Sequence, residues 1–276
     1  MKKSVACVVL LMFVMVSCVQ AADAKLKGLW TTGGCCHDYK KHAPLLTEKI
    51  GQYANVKFDI VFGLDQFKKA DYAKDYDLVV YDLCEAGVKD KELIGNIVTT
   101  IAEGKPAIII HCSLHTFRGI DWDDWRKAMG MTSRSHDRFR ALKTKKKGKV
   151  VIRDDMVTGD KKKGTREVEV QSHPTTKFWP EDWETPGDEL YQTIKLWPTA
   201  TALMAVESPQ SDEDHIVTWV NQLGDGKVFA TTLGHNMLTV GQDDYHHLLA
   251  NGVLWVCGKL GDDGKPAKGY EGTGKK

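Results

Sequence analysis

Apolar and polar positions along the chain follow two alternating periods. Lys25 to Thr32, Val56 to Phe62 and Asp77 to Asp82 are short runs rich in β-branched and aromatic residues, and each predicts a strand. Between them, apolar residues recur at helical spacing. Lys41–Tyr53 carries Leu45, Leu46 and Ile50, and Lys89–Ala102 carries Leu93, Ile94, Ile97, Val98 and Ile101 before Gly104 stops it. A fourth strand follows in Lys105-Pro-Ala-Ile-Ile-Ile, whose run from Ile108 to Ile110 lacks polar alternation, as in a strand buried on both faces. Strands alternating with helices of this length imply right-handed crossovers and a doubly wound, mostly parallel α/β sheet.

The pattern changes after a short amphipathic helix over Asp121–Met129. RALKTKKKGK, VVIRDD, GDKKKG and REVEVQ predict two alternating strands around a basic turn, an antiparallel excursion. Asp188–Tyr191, Thr201–Glu207 and His215–Gln222 read as further strands. Gly226 to Gly234 is a clearer one and delivers His235-Asn236 to its carboxyl end. Asp243–Cys257 predicts a helix, with Tyr245, Leu248, Leu249, Val253 and Val256 on one stripe and two acids at its N-terminus. Residues 261–276 are rich in Gly and Lys and read as a flexible tail.

Composition narrows the class. The 276 residues, 42% hydrophobic and 27% charged, suit one α/β domain with insertions, here placed at residues 25–260. A net charge of +1 gives no overall pull toward nucleic acid or an anionic membrane, and the lysine runs read as a solvated hairpin. Lys2 and Lys3, the apolar stretch Val5–Val16 and the small-x-small site Val19-Gln20-Ala21 read as a signal peptide over residues 1–21. That segment is too short for a membrane span, so the expectation is an exported protein, periplasmic or extracellular. Met15-Val16-Ser17-Cys18 resembles a lipoprotein box with a poor first residue, making an anchor at Cys18 the lesser reading. Of seven cysteines, the five beyond Cys7 and Cys18 are odd in number and scattered, which is no disulfide framework. Neighbouring Cys35 and Cys36 would bond each other only with backbone strain.

Ligands of parallel sheets bind beyond the strands' carboxyl ends, where this chain repeatedly places histidine. His37-Asp38 follows Gly33-Gly34, glycines that permit close backbone approach but form no dinucleotide fingerprint. His111-Cys112-Ser113 with His115 follows the isoleucine run, and His235 follows Gly234. His173 precedes Pro174, and Asp188 and Glu189 are acids that can join them. Imidazole serves as general acid or base near neutral pH and is the commonest metal ligand. The spacings match no local zinc motif, so a metal site requires convergence in three dimensions. Cys112 beside histidines at a strand end suggests a thiolate nucleophile. Each residue also has a structural role open to it. His37 can cap the next helix, His173 can mark a turn, and His246 and His247 can pack. The tryptophans at 122, 125, 179, 183, 197 and 219 suit core packing better than stacking on sugar rings.

Four ordered blocks resemble the ThuA-like (trehalose utilisation) family: GGCCHDY, GKPAIIIHCSLHTFR, SHP followed by GDELY, and GDGKVFATTLGH with LLANGVLWVCGK. The resemblance spans residues 25–260. It implies a flavodoxin-like, doubly wound sheet of the class I glutamine amidotransferase superfamily, whose nucleophilic cysteine turns sharply after a central strand. Here that elbow is His111, with Cys112 one place later, while His235 matches the distal histidine. Asn236 departs from the Pro-Glu that follows it in amidotransferases, so a functional glutaminase is not expected. The family's association with disaccharide and glycoside catabolism implies a carbohydrate-catabolism protein acting on a disaccharide, glycoside or keto-sugar derivative. His111 and His235 would be the acid/base pair, with Asp38, His115 and His173 contacting substrate. His37 and Glu189 would hold a divalent metal, zinc first, or orient the other groups. The competing expectation is a non-catalytic sugar-binding or scaffold protein.

Overall fold

In chain order, β1 (Leu26–Gly34), α1 (Tyr39–Ile50), β2 (Val56–Phe62), β3 (Leu78–Cys84), α2 (Lys91–Ala102) and β4 (Ala107–Ile110) come first. They are followed by α3 (Asp124–Met129), β5 (Met131–Thr132), β6 (Arg140–Lys145), β7 (Lys149–Arg153), β8 (Thr165–Glu169), β9 (Glu184–Asp188) and β10 (Lys195–Leu196). The chain ends with β11 (Thr201–Ser208), β12 (Glu213–Leu223), β13 (Gly226–Thr231), α4 (Met237–Val240) and α5 (Asp243–Val256). These elements are those of a computed structural model that describes residues 25–120, 122–153 and 165–274. The expected signal peptide, residues 1–21, and residues 154–164 of the expected basic turn lie outside the described residues.

One sheet of nine strands has the order β2-β1-β3-β4-β13-β12-β11-β6-β9. From β2 to β13 all neighbours are parallel, the expected doubly wound half; from β13 to β9 all are antiparallel. The antiparallel part is larger than an excursion. Leu142 and Thr144 alternate inward along β6, so that strand joins the main sheet, and only β7 and β8 form a separate ribbon. Although β9 is the outer strand, the sheet coils until its end lies over the carboxyl edge of β13. There Thr239 on α4 donates its hydroxyl hydrogen bond to the Gly187 carbonyl at 3.0 Å.

β3 and β4 are buried along their whole length, as their unbroken apolar character requires. Val80, Ile108 and Ile110 belong to a core with Leu46 of α1 and Leu248, Leu249 and Val253 of α5. Val79, Tyr81 and Ile109 face Leu93, Ile94, Ile97 and Ile101 of α2. Each buried isoleucine contributes about 1.5–3 kcal/mol, which makes these central strands a rigid floor. α2 begins at Lys91, because the Asp90 side chain accepts the backbone N–H groups of Glu92 and Leu93, each at 3.1 Å. Trp30, Trp125, Trp179, Trp183 and Trp219 are core residues.

The Gly- and Lys-rich end is docked rather than loose over residues 261–274. The Asn55 N–H donates to the Tyr270 carbonyl at 2.9 Å, and Thr273 and Gly274 N–H donate to Gly51 and Gln52 at 3.1 and 3.0 Å. Among the described residues, no helix is long and apolar enough to cross a membrane.

Candidate active site

Local backbone choices gather the site. His111 follows β4 directly at φ +44°, a left-handed turn that swings its ring toward β13, where Nδ1 donates to the Thr232 carbonyl. Gly234, at φ +119°, leads into His235, and a Cβ there would lie 2.4 Å from the Tyr245 hydroxyl. Fully buried Asp188, at the end of β9, accepts the Gly234 N–H at 2.8 Å, the His235 N–H at 3.2 Å and the Glu189 N–H at 2.8 Å. This one carboxylate fastens the antiparallel half of the sheet to the turn after β13. His37, in the β1–α1 loop, donates from Nδ1 to the His235 carbonyl at 2.9 Å.

The rings of His37 and His111 have centroids 4.8 Å apart, those of His37 and His235 4.9 Å, and those of His111 and His235 5.5 Å. Glu189 lies against them, its Oε2 3.2 Å from His235 Nδ1 and 3.6 Å from His111 Nε2, with Oε1 3.6 Å from His136 Nε2. The Tyr191 hydroxyl is 3.4 Å from His111 Nε2, and its ring stacks on His115 with centroids 4.3 Å apart. These groups border a cavity of about 360 Å³, with Arg118 and Arg134 also in its lining. A larger cavity of about 490 Å³ lies along β6 and β11. Its lysines 143, 145 and 146 are ion-paired with Asp182, Glu207, Asp214 and Glu181, and its lining has no histidine or cysteine. The histidines and cysteines cluster at the smaller cavity.

Electrostatics separate the histidines. Burial opposes charge on His111, but the Glu189 carboxylate 3.6 Å away, the nearby Asp188 carboxylate and the Thr232 carbonyl together raise its pKa. Glu189 responds in kind. Burial pushes it up, yet the adjacent His111 and His235 rings outweigh this and hold it below the usual carboxylate range. His37 is pushed down to about 3 by burial and by His111, and His115 to about 3 by burial and Arg118. His37 is therefore neutral, and with Nδ1 donating to a carbonyl its unprotonated Nε2 has no partner among the described residues.

Five of the residues singled out by sequence meet here: His37, His111, His115, Glu189 and His235. Asp38 does not; it points to solvent and pairs with Lys41 at 2.7 Å. His173 does not either. Its Nδ1 accepts the Thr175 N–H at 3.3 Å at the start of a short 3-10 turn, and its ring meets Trp255 edge-on at 4.9 Å. His136, Tyr191, Arg118 and Arg134 are additions. Tyr191 was detectable as the residue two places beyond Glu189 in a locally extended chain, whereas His136 sits in a loop with no periodicity. Cys112 is disulfide-bonded to Cys84, which removes the free thiolate, and Cys35 is bonded to Cys36 with Cys36 at φ +81°, the strain that adjacency implies. No tryptophan lines the cavity.

The family model described as trehalose utilisation (ThuA) matches residues 29–256. No curated protein matches the sequence significantly. Among solved structures, a ThuA-like protein from Parabacteroides merdae aligns at 17% identity with a TM-score of 0.61, covering 90% of this chain and 97% of its own. One from Bacteroides uniformis aligns at 15% identity and a TM-score of 0.60, covering 89% and 96%. A β-galactosidase from Bacillus circulans sp. alkalophilus aligns at 12% identity and 0.51, with 86% of this chain on 32% of that one. At these identities the likenesses establish the fold.

Proposed function

Since the chain belongs to the ThuA family of trehalose utilisation, we propose that it processes a keto derivative of a disaccharide or glycoside by proton transfer in the histidine pocket. The observation that carries this reading is one carboxylate, Glu189, shared by His111 and His235. The Glu189 carboxylate, 3.2 Å from His235 Nδ1, favours the tautomer with the proton on that nitrogen and leaves Nε2 as a base able to take the proton from carbon next to a carbonyl. His111, whose proton the acidic neighbours favour, is the acid that protonates the developing oxygen. Tyr191 and His115 form a stacked wall on which the apolar face of a sugar ring can rest. Export of the chain belongs to the same proposal, since extracellular oligosaccharides are then within reach.

The donor set also suits a divalent cation. Ligand atoms of His37, His111 and His235 lie within 4.8 Å of one another, and Nδ1 of His37 and of His111 is anchored on a carbonyl, as in metal-ligating histidines. With Glu189 they provide three nitrogens and a carboxylate, which favours zinc; in that form His111 and His235 would serve as ligands in place of the acid and base, and the bound cation would polarise the substrate carbonyl. The test is exchange of the carbon-bound proton of keto-glycosides in deuterated water, followed by NMR, together with metal analysis of the purified chain. Exchange should fall by about 10²-fold or more in His111→Ala and in His235→Ala. Saturable sugar binding without exchange would instead support a binding protein.

A further inference from the structure

Four of the five cysteines beyond residue 24 meet on one wall of the pocket. The register of β1 and β3 sets Gly34 opposite Cys84, and the Cys35 N–H donates to the Cys84 carbonyl at 3.1 Å. Only glycine fits at position 34, at φ +108°, because a Cβ there would stand 2.2 Å from the Cys84 carbonyl oxygen. The missing side chain lets the Cys35–Cys36 loop fold back onto β3. On the other side, the left-handed turn at His111 brings Cys112 across from β4 to the end of β3. The outcome is two adjoining disulfides, Cys35–Cys36 and Cys84–Cys112, with Cys35 Sγ 3.6 Å from Cys84 Sγ. The first pair is exposed, while Cys84 and Cys112 are 5% and 7% exposed. Nothing in the acid/base chemistry of the histidines uses these sulfurs.

We propose that the four cysteines are a dithiol–disulfide exchange centre, in which an external dithiol reduces the exposed pair and the exposed pair reduces the buried one. A thiolate of the dithiol attacks the Cys35–Cys36 bond, and its second thiolate resolves the mixed disulfide, so the dithiol leaves as a disulfide and both cysteines become thiols. The Cys35 thiolate then attacks Cys84 Sγ. A Cys35–Cys84 bond forms, the Cys84–Cys112 bond breaks, and Cys112 leaves as a thiolate that takes a proton from solvent. Attack of the Cys36 thiolate on Cys35 Sγ restores the first disulfide and releases Cys84 as a thiolate, which is protonated in turn. The balance is two electrons and two protons moved from the dithiol to the buried pair. Ligand atoms of His37, Cys84 and Cys112 lie within 4.8 Å of one another, so the electrons arrive beside the histidine cluster.

The test uses the full mature chain and dithiothreitol as the dithiol, with acid quenching, alkylation and peptide mapping. Cys35→Ser should slow reduction of Cys84–Cys112 by about tenfold or more, since the buried bond loses its internal attacker. Cys36→Ser, whose Cys35 thiol is free from the start, should carry a Cys35–Cys84 cross-link with Cys112 as the free thiol before any dithiol is added, since no neighbouring thiolate is left to resolve it. In the wild-type chain, which needs no variant to fold, thiols at Cys35 and Cys36 should appear before those at Cys84 and Cys112. Simultaneous opening, or an unchanged rate in Cys35→Ser, would overturn the proposal. So would four free thiols in aerobically purified protein carrying one equivalent of zinc or copper, which would make the cluster a metal site.

Discussion

Asp82 offers a quantitative test of how the floor of the pocket is built. It lies within β3, is 6% exposed, and accepts from the Thr32 hydroxyl at 3.0 Å and from the Trp30 indole N–H at 3.3 Å. Burial raises its carboxyl from 3.8 to about 6, against the opposing pull of those two hydrogen bonds and of His111. The carboxyl's pKa is thus higher folded than unfolded. Its contribution to stability is complete below about pH 4 and is lost as pH rises through about 6. Two pH units at about 1.4 kcal/mol each amount to ~3 kcal/mol. Asp82→Asn is neutral at every pH and keeps an acceptor oxygen of similar shape. Urea denaturation of both proteins, followed by tryptophan fluorescence, isolates the group together with its coupling to His111, because titrations not coupled to it cancel in the difference. The stability of the variant relative to wild type should climb by about 3 kcal/mol between about pH 4 and pH 7. A difference flat to within about 0.5 kcal/mol would refute the account of a strained buried carboxyl.

Three further outcomes follow from the geometry. Glu189→Gln removes the partner shared by two histidines, so an NMR titration should show the His111 pKa falling, with proton exchange slowed by about 10²-fold. His173→Ala should cost about 1 kcal/mol in urea unfolding through the lost cap and leave sugar affinity unchanged, since His173 lies outside the pocket. Deleting the chain after Lys265 strips the bonds to Gly51, Gln52 and Asn55 and should lower stability by about 1–2 kcal/mol, read as a lower urea midpoint.

What could be read from the sequence depended on whether a residue's environment is set by near neighbours or distant ones. The Ile108–Ile110 run announces a strand buried on both faces, and that alone placed His111 at a carboxyl edge. The ThuA family and its α/β sheet followed from ordered blocks on such strands. Glu189 stands out as an acid near the histidines with Tyr191 two places on, but His136 reaches them only through its bridge to Tyr191 from a distant loop, which no local period encodes. Similarly, Asp38 neighbours His37 in sequence yet turns to Lys41, because adjacent residues diverge where a loop enters a helix. The pairing of Cys84 with Cys112 depends on strand register, and the docked end on backbone bonds to the α1–β2 turn. Composition says nothing about either.

The coiling of the sheet has a consequence for biogenesis. Glu189 follows the last strand in the hydrogen-bonded order, yet it must stand between His111 and His235. The reactive constellation therefore exists only when every intervening strand has been added and Asp188 has latched onto the turn at Gly234. A chain ending before Asp188 lacks Glu189 and His235 and so lacks this pocket. The proposed proton transfer would thus depend on completed folding, a requirement built into the path of the chain itself.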